Sequence, residues 1–102
     1  MAYEIVWSNH AKNELQNTID YLIQNWSEKE VMKLAQMLEN VIQHLGANPY
    51  IFQASISHPY LHRAIILRYN TLYFRVNGNR VEIVSFFSNR QSPLKRKILE
   101  TP

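Results

Sequence analysis

The chain has 102 residues and a mass of 12.1 kDa, with 46% hydrophobic residues, a formal net charge of +3 and no cysteine. That length is one domain's worth, so a single domain over residues 1–102 is expected, and the apolar fraction is enough for one compact core. The lack of cysteine excludes thiol catalysis, disulfides and every cysteine-based metal site. The first residues carry no basic segment before an apolar run, and no stretch approaches the roughly 20 apolar residues of a membrane helix, so a cytoplasmic location without membrane contact is expected.

Tyr3, Ile5 and Trp7 alternate with polar or smaller neighbours, the period of a half-buried strand over residues 3–7. From Ala11 the period lengthens. Ala11, Leu15, Ile19, Leu22, Ile23 and Trp26 recur every three or four residues, which predicts a helix capped by Ser8 or Asn9 and ending near Asn25. Ser27-Glu28-Lys29-Glu30 has the form of a capping box, and Val31, Leu34, Ala35, Leu38, Val41, Ile42 and Leu45 carry a second helix to Gly46. So short a link makes an antiparallel helical hairpin. Trp7, Trp26, Met32 and Met37 read as core residues of that layer.

Residues 47–60 show no period and read as a loop, with Tyr50, Ile51 and Phe52 pinned to the core. Three strand-like runs follow, Leu61 to Arg68, Thr71 to Asn77 and Arg80 to Phe87, with reversals at Tyr69-Asn70 and Gly78-Asn79. Placing Gly78 and Asn79 at the turn centre sets Arg75 opposite Glu82, whereas a one-residue slip sets it opposite Arg80, a like-charge pair. The first register is preferred. It puts Leu72, Phe74, Val76, Val81, Ile83 and Phe87 on the face that the helices cover, and Tyr73, Arg75, Glu82, Val84 and Phe86 on the open one. The same reasoning at Tyr69-Asn70 assigns Ile65 and Leu67 to the covered face, and His62, Ala64, Ile66 and Arg68 to the open face. The fold class is therefore α+β: an N-terminal strand, a helical hairpin and a three-stranded antiparallel meander in one sheet packed on the hairpin.

Charge follows this division. Residues 1–50 hold three Lys against six acids, net −3, while residues 51–102 hold six Arg and two Lys against two acids, net +6. The second half suits phosphate, nucleic acid or an acidic protein. Arg63 has its stem at the end of the covered face, and Arg75 opposite Glu82 reads first as a solvated cross-strand ion pair. Arg90, just after the last strand, is the strongest single candidate for a functional cation. His62 is the one histidine expected on the open face, where an imidazole is able to transfer protons near neutrality. His10 and His44 are expected to face solvent. His58 and His62 have a His-x-x-x-His spacing, but Pro59 denies them a helix, so no metal site is expected. With two glycines in the chain there is no phosphate-cradling loop, and no cofactor is expected. Lys95-Arg96-Lys97 reads as a solvated basic terminus.

The element order, Ile5-Val6-Trp7-Ser8 ahead of Ala11, Leu45-x-x-x-Pro49, Arg63, Tyr73-x-Arg75-Val76, and Val81-Glu82-Ile83-Val84 leading to Arg90 together resemble the RelE/ParE superfamily of bacterial toxins over nearly the whole chain. The resemblance implies the toxin of a type II toxin-antitoxin system of the plasmid-stabilisation kind, with a cognate antitoxin that wraps it, and it allows a homodimer or a heterotetramer with that antitoxin. ParE-like members poison DNA gyrase; RelE-like members cut messenger RNA on the ribosome. The long hairpin is more ParE-like, and the stretch Ser88 to Ser92 lacks the Tyr or His of many RelE-like ribonucleases. A gyrase inhibitor is thus expected, with a RelE-like mRNA interferase as the alternative. Candidate residues for ribonuclease chemistry are His62, Arg63, Arg75 and Arg90. Those for binding target or antitoxin are Arg63, Arg68, Tyr73, Arg75, Phe86 and Arg90, with the apolar ones as anchors.

Overall fold

The computed structural model describes residues 2–54, 60–67 and 70–88. Its elements, in chain order, are strand β1 (Glu4–Trp7), helix α1 (Asn9–Asn25), helix α2 (Glu28–Ala47), a 3₁₀ turn (Pro49–Ile51), and strands β2 (His62–Leu67), β3 (Asn70–Asn77) and β4 (Arg80–Ser88). They form the expected α+β arrangement, with the four strands in one sheet of order β1-β4-β3-β2. The meander is antiparallel, and β1 adds to it in parallel beside β4, pairing Glu4 with Arg80 through Trp7 with Ile83. Two helices between β1 and the rest of the sheet supply the long connection that a parallel pair requires.

Ser8 caps α1, its Oγ accepting the Ala11 N–H at 3.0 Å. At α2 the capping box does not close. Ser27 holds the N-cap position, but its side chain makes no capping hydrogen bond, and the first turn is held by backbone bonds from Glu30 and Val31 to the Ser27 carbonyl. Asn48 then caps the 3₁₀ turn through its side chain, with Pro49 at the start where its missing N–H costs nothing.

The core lies between sheet and helices. Leu22, Leu34 and Leu45 of the helices meet Ala64, Ile66, Leu72, Phe74, Val81, Ile83 and Phe86 of the sheet. Each of these side chains larger than Ala64 contributes roughly 1.5 to 3 kcal/mol of burial, offset by the chain entropy lost on folding. Thr18 is buried too, and its hydroxyl donates to the Glu14 carbonyl one turn back at 2.9 Å.

The β3–β4 turn follows the sequence expectation. Asn77 faces Arg80, Val76 faces Val81 and Arg75 faces Glu82, with Gly78 at φ +63°, the left-handed conformation a tight turn needs. Further along, the ladder shifts: Tyr73 pairs with Ser85 but Phe74 pairs with Ile83, so Val84 is an extra residue in a bulge. The bulge reverses the predicted side-chain assignment beyond it. Phe86, expected on the open face, is 1% exposed in the core opposite Leu72, and Phe87 is the partly exposed one.

A similar correction applies to β2. Leu67 pairs with Asn70, so Asn70 already belongs to β3, and an irregularity at Ile66 follows. Ala64 and Ile66 are consequently buried, while Ile65 is 66% exposed and His62 pairs with the core residue Phe74. A one-residue change of register exchanges the two faces of a strand. Tyr69, Arg68, His58, Arg90 and Lys95-Arg96-Lys97 lie outside the described residues.

The reassignment of the two phenylalanines has a measurable consequence. Phe86→Ala should lower unfolding free energy by about 3 to 5 kcal/mol, and Phe87→Ala by roughly half of that or less, in urea titrations monitored by circular dichroism.

Candidate functional site

The face of the sheet turned away from the helices is built from alternate residues of β2, β3 and β4. Arg63 of β2 lies directly opposite Tyr73 of β3, and Tyr73 lies directly opposite Ser85 of β4. Toward the other end of the strands, Arg75 lies opposite Glu82. Of the sequence candidates, Arg63, Tyr73 and Arg75 therefore share one face. Phe86 and His62 do not belong to it.

His62 is held on the helix side. Its ring stacks on Phe74 at 5.3 Å between centroids with planes 18° apart, meets Tyr50 edge-on at 6.1 Å, and places Nδ1 3.2 Å from the Phe52 carbonyl. Phe52 also packs edge-on against Phe74, and β2 bonds the preceding loop through Arg63 N–H to the Gln53 carbonyl at 2.9 Å. His62 thus pins residues 50–53 to the sheet edge, and Phe52 packs against the core as expected. Tyr50 and Ile51 stay exposed instead.

The cations differ in how far they are compensated. Arg75 Nε donates to Glu82 Oε1 at 2.6 Å, and Arg80 Nη2 lies 3.9 Å from Glu82 Oε2. The Arg75 hydrogen bond holds the Glu82 carboxyl below its ordinary range; partial burial opposes this, and the charges of Arg75 and Arg80 and the Asn77 amide add to it. Arg63 makes only a long 3.4 Å contact from Nη2 to the Gln53 amide oxygen, and pairs with no carboxylate among the described residues.

One group at this face is not evident from sequence. Glu14 of α1 reaches the edge of β4 just past the end of β1, where its Oε1 accepts from Ser85 Oγ at 2.7 Å and from the Phe86 N–H at 3.0 Å. His10, one turn earlier, places Nε2 3.0 Å from the same oxygen. The His-x-x-x-Glu spacing in a helix is legible; the contact with β4, 71 residues away, is not.

On the helical side, several residues expected in the core are exposed. Ile23 is 58%, Trp26 57% and Met32 70% exposed around the tip of the hairpin, whereas Trp7 does pack against the core. A groove of about 560 Å³ lies between α2 and the end of β2, lined by Lys29, Met32, Lys33, Gln36, Met37 and Leu67. Apolar side chains left exposed together mark an interaction surface. No group of three or more metal-binding side chains occurs among the described residues, and no helix there is long and apolar enough to cross a membrane.

Similarity to known proteins is found at the level of structure. No family model matches the chain, and no curated protein matches it either. Among solved structures, the chromosomal ParDE toxin-antitoxin system of P. aeruginosa superposes with a TM-score of 0.70 at 16% identity, over 85% of this chain and 96% of that one. The YoeB dimer of Staphylococcus aureus follows at 0.59 and 15%, over 85% and 97%. The E. coli DinJ-YafQ toxin-antitoxin complex gives 0.53 and 12%, over 89% and 97%. The chain shares the fold of these solved structures.

The ion pair on the open face is open to direct test. Because the folded-state pKa of Glu82 is depressed, its contribution to stability is present above the ordinary carboxylate range, about pH 4.3, and is lost as the pH falls through the lowered folded value. Arg75→Gln should therefore lower the melting temperature at neutral pH. The difference from the parent chain should close in acid, as thermal melts across that window would register.

Proposed function

We propose that the chain is the toxin of a type II toxin-antitoxin system, acting in the ParE manner by occupying a protein target such as DNA gyrase and neutralised by an antitoxin encoded with it. The observation that carries this reading is the exposed apolar surface of the helical hairpin at Ile23, Trp26 and Met32, which a partner protein would bury. Its likeness to the ParDE system supports the same reading through the fold. The orientation of His62 supports it as well. The histidine expected to transfer a proton in RNA cleavage is stacked on Phe74 toward the helices, away from Arg63 and Arg75.

The alternative is a RelE-like ribonuclease, and the observation favouring it is the open face itself, where Arg63, Tyr73 and Arg75 offer two cations and a phenol to a phosphodiester. In that reading Arg90 would add a third cation.

Expression without antitoxin should arrest growth, and the purified chain should inhibit supercoiling by purified gyrase. Met32→Asp and Ile23→Asp, both at exposed positions, should weaken that inhibition about tenfold or more with little change in melting temperature. Normal supercoiling at saturating toxin counts against the gyrase target. Messenger RNA cleaved at discrete codons in toeprints of a translation reaction would establish the ribonuclease instead.

A further inference from the structure

The net charge of the sheet half suggests a uniformly cationic docking face, but the geometry is different. Along one line across the open face, Arg63 on β2 is followed by Tyr73 on β3, Ser85 on β4 and the Glu14 carboxylate at the β4 edge. Arg75 is already paired with Glu82 at 2.6 Å, whereas Arg63 has no carboxylate partner among the described residues, and the Glu14 carboxylate, with His10 Nε2 at 3.0 Å, ends the line as an acceptor. The Ser85 hydroxyl has its proton engaged with Glu14, so it presents lone pairs outward and accepts from a partner's donor. Along this line the β4 end offers acceptors and the β2 end offers the Arg63 donors.

We propose that this face binds an antitoxin segment of opposite polarity, running across the strands with an acidic side chain over Arg63, an apolar or aromatic one over Tyr73, and a Lys or Arg over Ser85 and Glu14. The inference rests on the proposed toxin-antitoxin function and specifies the partner for it. Two strand spacings separate β2 from β4, roughly 10 Å, which an extended segment crosses in about three to four residues and a helix in about two turns. The acid and the base of the partner should therefore be separated accordingly. Complementary charges at the two ends also fix direction, because the reversed segment would set acid against Glu14 and base against Arg63.

The sign of one substitution separates this arrangement from a simply acidic partner. Glu14→Gln keeps an oxygen for the Ser85 hydroxyl and the Phe86 N–H while removing the charge. His10→Lys, at a solvent-exposed position, sets a fixed cation beside the same carboxylate while keeping Glu14 itself for the Ser85 hydroxyl and the Phe86 N–H. The measurement is the dissociation constant of the complex with the antitoxin encoded beside this chain, at low and high salt, together with melting temperatures of the variants.

Glu14→Gln, His10→Lys and Arg63→Gln should each weaken binding about tenfold at low salt, with most of the effect lost near 0.5 M salt. Should Glu14→Gln lose stability, His10→Lys decides the matter alone. Unchanged or tighter binding by the rim variants, with weaker binding by Arg63→Gln, would mean an acidic segment and overturn the proposal. Unchanged binding by all three would remove the face from the interface and overturn it too. Failure of the parent chain to form any complex would overturn the proposed function, and this inference with it.

Discussion

Strand β4 is nine residues long and its neighbour β1 is four, so among the described residues no strand lies beside the edge of β4 beyond Ile83 on that side. The first turns of α1 take over. Ser8 N–H donates to the Ile83 carbonyl at 2.9 Å, Ser8 Oγ donates to the Val84 carbonyl at 3.2 Å, and Glu14 accepts the Phe86 N–H. A buried backbone donor left unpaired would cost about 1 to 3 kcal/mol, and a carboxylate is a stronger acceptor than another peptide group. Helix α1 is thereby tied to the sheet edge, and the strand is kept from offering an open edge to other chains.

These contacts bracket the bulge at Val84. Ile83 and Phe86 both enter the core, with two residues between them where β3 has Tyr73 alone between Leu72 and Phe74. Which side chains the open face displays thus depends on a helix that lies on the other side of the sheet. Because Glu14 reaches the rim of that face, a substitution in α1 is able to alter it.

The molecule presents two surfaces of different chemistry. The hairpin tip is apolar, with Trp26 and Met32 standing out beside a groove edged by lysines. The open sheet face is mixed, with Ile65, Tyr73 and Phe87 beside charges set opposite one another by cross-strand pairing. Apolar anchors supply affinity, and charge rows supply direction and association rate. Under the proposed function, a target and a neutralising partner would each have one of these surfaces available.

Local pattern in the sequence was enough for the elements, the helical hairpin and the β3–β4 turn, because helical spacing, a Gly-Asn reversal and the Arg75–Glu82 pairing act between near neighbours in the chain. It was also enough to set Tyr73 and Arg75 together on the open face, but it put the stem of Arg63 on the covered one, where the structure instead pairs Arg63 with Tyr73. It did not determine the parallel pairing of β1 with β4, the faces of β2, the exchange of Phe86 for Phe87 in the core, the stacking of His62 on Phe74 or the reach of Glu14 to Ser85. Strand alternation carries forward only while the ladder is regular. Each irregularity, at Ile66 and at Val84, reverses every assignment beyond it, and where an irregularity falls is decided by groups distant in sequence that must all be satisfied at once. Trp26 and Met32 are exposed for a related reason: periodicity identifies an apolar stripe, but only the finite width of the sheet decides how much of that stripe is covered.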